Sequence, residues 1–187
     1  MFVDCPALES APALPTTELA KGCYFGLFSG CTSLKEAPEL PATVLTEKCY
    51  YVMFYKCTSL EEAPELPATE LADRCYYGMF YGCSSLKHIK VGFKDWTGGM
   101  DATYAWVYKV PETGNFECPE GLEIKYGHTY IPTGWSVNGA APAATKSLAT
   151  QAPALIDAES SAARNRKHSA PQELKPREIS PLKPISL

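Results

Sequence analysis

The stretch CTSLKEAPELPAT at residues 31–43 returns as CTSLEEAPELPAT at residues 57–69, and the two copies differ only at Lys35 and Glu61. They begin 26 residues apart, and looser copies start in the same phase at Cys5 and Cys83. A fixed period of roughly 20–50 residues is typical of proteins built from stacked structural repeats. One unit cannot bury its own apolar face, so neighbouring units are expected to cover each other.

Each unit is predicted to contain a short strand, a proline-bounded turn and a short helix. Pro64 and Pro67 cannot donate to a strand ladder, so the run before them makes at most a very short strand. Thr69 is a typical N-cap residue and Gly82 a typical helix end. Between them, apolar residues recur as on one helical face, at Leu71, Cys75 and Met79. The predicted fold is therefore an α/β repeat solenoid with one short strand and one short helix in each 26-residue leucine-rich repeat.

The pattern Met-Phe-x-x-Cys-x-x-Leu-x-x-Ala-Pro-x-Leu-Pro, present at residues 53–67, resembles the BspA-type leucine-rich repeats of bacterial surface proteins. The resemblance assigns residues 1–93 to about three and a half repeats and residues 94–139 to the irregular C-terminal end unit of the array. It implies an adhesin-like, non-catalytic module that binds a protein or a glycan at the cell surface or after secretion. A spacer without a ligand of its own is the alternative.

Both ends of the sequence carry expectations. Met1 occupies the repeat position of Met53 and Met79, so the chain is expected to be the C-terminal part of a longer repeat protein. The first residues, Met1–Pro6, lack the basic and apolar regions of a secretory signal. An uncapped first repeat exposes apolar surface and favours self-association. Residues 140–187 contain no aromatic residue and no cysteine, and they are expected to form a disordered tail rich in Ala, Pro and Lys.

Cysteine and histidine spacing argues against catalysis. Seven of the eight cysteines fall into two columns of the repeat, and Cys118 stands apart. No C-x2-C pair is present, so neither a metal site nor a cofactor is predicted. Stacked identical positions favour free, buried cysteines, although a secreted protein would also allow disulfides. His88 follows Cys83 closely, but it holds the repeat position of Ser10, Glu36 and Glu62, which is interpreted as a solvated strand position. No Asp or Glu accompanies His128 in a recognisable arrangement, so no enzymatic activity is predicted.

Two surfaces are candidates for binding. Aromatic residues recur at the period and form either an exposed binding ladder or stacking contacts between repeats; they are Phe25, Tyr51, Tyr77, Tyr55 and Tyr81. The predicted strand row forms the second surface, where mixed charges serve binding or only solubility; its residues are Lys35, Glu36, Glu61, Glu62, Lys87 and His88.

Charge and hydropathy exclude two classes of partner. The net charge of the 187 residues is −4, and the repeat region is acidic without a stripe of basic and aromatic residues. Binding to nucleic acid is therefore not expected. No stretch approaches the roughly 18 apolar residues of a membrane helix, so membrane insertion is not predicted.

Overall fold

The computed structural model of this chain describes residues 2–139. Contacts divide the chain into two units, Met1–Leu155 and Ile156–Leu187, and all described residues belong to the first. Met1 and the predicted tail, residues 140–187, lie outside the described residues.

The 26-residue period appears as a stack of coils joined by backbone hydrogen bonds. The Gly26 amide donates to the Tyr51 carbonyl at 2.8 Å, and the Val52 amide donates to the Tyr77 carbonyl at 2.8 Å. Gly78 continues the column by donating to Tyr104 at 3.0 Å. Each coil is therefore bonded to the next through its main chain, as strands are in a sheet.

The predicted helices are wrong, because the residues that the structure describes contain no helix. Residues 73–82 form consecutive turns. The Met79 amide donates to the Tyr76 carbonyl, three residues back, whereas the Tyr76 amide donates to Ala102 in the next coil. An α-helix would direct each amide to the carbonyl four residues back. Stacked coils of turns, with three short parallel strands, replace the expected α/β solenoid.

Backbone conformation explains the turns. Every fourth residue of a turn segment has a positive φ, as Gly22, Gly26 and Gly30 show with 64°, 59° and 77°. The position of Gly26 keeps a positive φ in the following coils, at Val52, Gly78 and Ala105. Positive φ rotates the peptide planes away from the helical path, and glycine adopts it at little cost. A repeat of four residues also places every fourth side chain inward, so the apolar spacing fits this ribbon as well as a helix.

The strands form a small parallel sheet at the C-terminal end of the described stack. β1 spans His88–Lys90, β2 spans Asn115–Glu117 and β3 spans Ser136–Val137. They pair in the order β1-β2-β3, with Ile89 opposite Phe116 and Phe116 opposite Val137. In the earlier coils the same row is reduced to isolated parallel bridges, as the prolines that follow it predict.

The core consists of identical side chains stacked from coil to coil. Three columns are fully buried, and their members are Leu34, Leu60 and Leu86; Phe28, Phe54 and Phe80; and Cys31, Cys57 and Cys83. Cys49 and Cys75 are also fully buried, and all eight cysteines are free. Burial of free cysteines in these columns is thereby confirmed, except for Cys5 and Cys23, which lie in the first coil and are not buried.

Candidate functional site

A groove of about 690 Å³ lies along the strand row of the second and third coils. Its lining residues are Lys35, Glu36, Ala37, Ser59, Glu61, Glu62, Ala63, Pro64 and Ser85. A second groove of about 530 Å³ shares Ala37 and Pro64 with it and continues along the prolines. The first is called the strand-row groove below.

Ion pairs neutralise one column of the strand row. Lys35 Nζ lies 2.9 Å from Glu9 Oε2, and Lys87 Nζ lies 2.7 Å from Glu61 Oε2. All four side chains are more than half exposed, so each pair contributes little stability. At the groove, the charges of Lys35 and Glu61 are therefore already neutralised by their ion-pair partners.

The neighbouring column keeps its charge. Glu36 and Glu62 are exposed, and within residues 2–139 no cation lies within ion-pair distance of either carboxylate. Further along the column, His88 Nε2 lies 3.1 Å from Glu117 Oε1. Lys87 and His88 do not line the groove, whereas the other four predicted residues of the row do. The strand-row groove therefore has two available carboxylates in adjacent coils.

The outer aromatic residues stack in two columns. Ring centroids are 4.8 Å apart between Phe25 and Tyr51 and 4.6 Å apart between Tyr51 and Tyr77, with interplanar angles of 8° and 6°. Tyr55 and Tyr81 form the second column at 4.9 Å. Both faces of the Tyr51 ring are covered by its neighbours. The columns thus present ring edges and hydroxyl groups to solvent, and a sugar has no free internal ring face to stack on.

Half-burial changes the acidity of these phenols. Loss of hydration raises the pKa of Tyr77 to about 12, and the neighbouring Tyr51 and Tyr104 add to the effect. Burial also raises the pKa of Tyr51 and Tyr81. The hydroxyls are therefore neutral donors and acceptors at physiological pH.

Both aromatic columns extend further than the sequence pattern suggested. Tyr104 stacks on Tyr77 at 5.1 Å, and Tyr108 follows Tyr81 at 5.0 Å. The His128 ring contacts both edge-on, at 6.1 and 6.0 Å, and burial lowers its pKa. Tyr104 follows Tyr77 by 27 residues instead of 26, and this one-residue shift hid the match.

Three further features of the described residues concern metal ligands, membrane-spanning helices and the cysteine outside the two columns. Residues 2–139 contain no group of three or more His, Cys, Asp or Glu side chains that could hold a metal ion. They contain no helix that could span a membrane. Burial raises the pKa of Cys118, whose sulfur lies 3.9 Å from the Asn138 side-chain amide. A raised pKa leaves less of this thiol as the nucleophilic thiolate at neutral pH.

No family model matches this chain, and no similar protein was found among curated proteins or solved structures. The resemblance to BspA-type repeats therefore rests on the repeat motif alone.

Proposed function

We propose that this chain is a non-catalytic interaction module that binds a protein ligand through the strand-row groove. The observation that carries the proposal is the pair of exposed carboxylates, Glu36 and Glu62, which have no cationic partner within residues 2–139. Unpaired carboxylates on adjacent coils favour a ligand that presents lysine or arginine side chains. The BspA-type resemblance adds that the ligand is met at a cell surface or after secretion.

A protein ligand fits this surface better than a glycan. Carboxylates also accept hydrogen bonds from sugar hydroxyls, but sugar binding usually needs a free aromatic face beside them. The rings of Tyr51 and Tyr77 are covered on both faces by their neighbours. Glycan binding is therefore the second outcome that the experiment has to distinguish.

The experiment is a binding screen of the full chain against extracellular-matrix proteins and a glycan panel. We expect saturable binding to a basic protein ligand that weakens as salt rises, because exposed charges are screened. The double variant Glu36→Gln, Glu62→Gln should weaken binding about ten-fold, which corresponds to ~1.4 kcal/mol. Glu70→Gln is the matched control, since Glu70 is also exposed but lies outside the groove. Unchanged binding by the double variant would exclude the groove as the site.

A structural spacer is the second candidate, and the continuous aromatic stacking favours it. The column from Phe25 to Tyr104 joins four coils through their ring faces. Such stacking stiffens a repeat array whether or not a ligand binds. Binding to neither proteins nor glycans, by a chain shown to be folded, would favour the spacer over the interaction module.

A further inference from the structure

The strand row is bonded from coil to coil at every step of the described stack except one. Parallel bridges join Ser10 to Glu36 and Glu62 to His88, and the sheet β1-β2-β3 continues the row. Between Glu36 and Glu62, which belong to the second and third coils, residues 2–139 contain no bridge. This gap in the ladder is called the open step below.

One missing hydrogen bond at the open step would run from the third coil back to the second. Between the third and fourth coils, the Lys87 amide donates to the Glu61 carbonyl at 2.7 Å. The equivalent bond at the open step would run from the Glu61 amide to the Lys35 carbonyl, and the described residues do not form it. Glu61 therefore has an open amide, and Lys35 has an open carbonyl.

The other missing hydrogen bond would run in the opposite direction. Between the third and fourth coils, the Ala63 amide donates to the His88 carbonyl at 3.0 Å. The equivalent bond at the open step would join the Ala37 amide to the Glu62 carbonyl, and it too is absent from the described part of the chain. Each coil thus presents one open amide and one open carbonyl at this step.

Charge explains why the ladder opens at this step. Elsewhere in the same column of the described row, Glu36 stands opposite a serine and Glu62 stands opposite His88. At the open step the period places carboxylate opposite carboxylate, and like charges directly opposite destabilise a strand pair. No ion pair compensates there, since Lys35 and Glu61 each pair with a residue of another coil. The open step therefore lacks a cation.

The strand-row groove lies over the open step. Its volume of about 690 Å³ is within the range of pockets that hold a ligand of several hundred daltons, so it admits a few residues of peptide. Both coils contribute equivalent residues to its lining, which are Lys35, Glu36 and Ala37 from one and Glu61, Glu62 and Ala63 from the other. The open backbone groups and the two available carboxylates thus belong to one surface.

We propose that the open step binds an arginine side chain carried by an extended segment of the protein ligand. This inference rests on the proposed function and names the part of the ligand that the groove recognises. A guanidinium presents five N–H donors in a planar fork, so it serves both carboxylates and the open carbonyls of Lys35 and Glu62. Main-chain carbonyls of the segment accept from the open amides of Ala37 and Glu61. Pairing of an extended chain with an open ladder is a known mode of peptide recognition.

A lysine fits the open step less well than an arginine. An ammonium group carries the same charge but presents only three donors, and these are not arranged in a planar fork. It neutralises the carboxylates of Glu36 and Glu62 and leaves open carbonyls unsatisfied. Preference for arginine over lysine is therefore the result that separates recognition of the open ladder from simple attraction of charge.

Amide hydrogen exchange of the free chain tests whether the ladder is open. Ala37 and Ala63 occupy the same repeat position, and both are preceded by glutamate and followed by Pro-Glu-Leu-Pro. Their intrinsic exchange rates are therefore matched. Ala37 should exchange at least about ten-fold faster, because only the Ala63 amide has a carbonyl partner among the described residues. Equal protection of the two amides would show a closed ladder and overturn the inference.

The binding test is an NMR titration of the ¹⁵N-labelled full chain with the peptides acetyl-Ala-Arg-Ala-amide and acetyl-Ala-Lys-Ala-amide. We expect saturable shifts of the Ala37 and Glu61 amides with the arginine peptide. The lysine peptide should bind about five-fold more weakly at equal charge. Ala37→Pro removes one open amide without removing a hydrogen bond of the free chain, and it should weaken the arginine peptide about three-fold.

The outcomes separate this inference from the proposed function. Equal binding of both peptides that is lost in Glu36→Gln, Glu62→Gln would leave the groove as a site for any cation and overturn the preference for arginine. Binding of the arginine peptide that the double variant retains would overturn both proposals. No binding of this peptide by a chain with a folded NMR spectrum would overturn the arginine site alone, because the protein screen tests the groove independently.

Discussion

Gly26→Ala distinguishes the observed turns from the helix that the sequence pattern predicts. Gly26 has a φ of +59°, and a methyl group added there would meet only Val52 Cγ2 at 3.7 Å and Ser29 Cβ at 3.9 Å. Both distances are ordinary van der Waals contacts. The effect of the substitution therefore comes from backbone conformation and not from a steric clash.

The coil of turns and the expected helix predict opposite changes in stability for Gly26→Ala. In the coil, an alanine held at positive φ costs ~1–2 kcal/mol. Alanine also lowers the conformational entropy of the unfolded chain relative to glycine, which offsets roughly 0.4–1 kcal/mol of that cost. The variant should lose about 1 kcal/mol of stability and melt ~2–4 °C lower. In a helix interior, replacing glycine by alanine would instead stabilise by about 0.8–1 kcal/mol.

Urea denaturation followed by tyrosine fluorescence measures the difference. The slope of the unfolding free energy against urea concentration must be the same in each variant, so that a shift of the midpoint reports a change in stability. Ser29→Ala is the control, because Ser29 lies in the same turn without positive φ. It should change the unfolding free energy by less than about 0.5 kcal/mol. A rise in stability on Gly26→Ala, or a helical far-UV circular dichroism spectrum, would refute the coil of turns.

Three further predictions concern burial. Thiol labelling of the folded chain followed by peptide mapping should modify exposed Cys23 well before Cys49, whose pKa burial raises to about 11. Because the pKa of Tyr77 is raised from 10.0 to about 12, the unfolded chain releases this proton first. Stability should thus be unaffected below about pH 10 and should fall between pH 10 and 12, as measured by urea denaturation at stepped pH. Trp106→Phe removes the 2.8 Å hydrogen bond from Nε1 to the Tyr130 carbonyl, and the unpaired carbonyl and lost volume should cost about 1–3 kcal/mol of unfolding free energy in urea.

The period was readable from the sequence because the columns repeat identical residues. Cys31 and Cys57 return in the same phase and are both fully buried. The apolar spacing could not distinguish a helix from the turns, since apolar residues at every fourth position fit both structures equally. Glycines at 22, 26 and 30 were the missed signal. Glycine at every fourth residue would weaken a helix by about 1 kcal/mol each, but it suits a recurring positive φ.

The candidate site was predictable only in part. The period placed Lys35, Glu36, Glu61 and Glu62 in one row, and the structure finds all four at the same groove. Sequence alone could not say that Lys35 pairs with Glu9 and leaves Glu36 available, because that choice depends on side-chain rotamers at the surface. It also missed Tyr104, since the added residue before it breaks the period that revealed the other rings.

The spacing between coils explains why the aromatic columns occur together with the turns. Packed helices lie roughly 8–10 Å apart, too far for identical residues in neighbouring repeats to stack. Hydrogen-bonded chains lie about 4.7–4.9 Å apart, and the centroid separation of 4.6 Å between Tyr51 and Tyr77 matches that spacing. Positive φ at every fourth residue is what directs alternate amides towards the next coil. Val52 tolerates this unfavourable conformation because two interactions require the same spacing between coils. They are the hydrogen bond from its amide to the Tyr77 carbonyl and the stacking of the rings beside it.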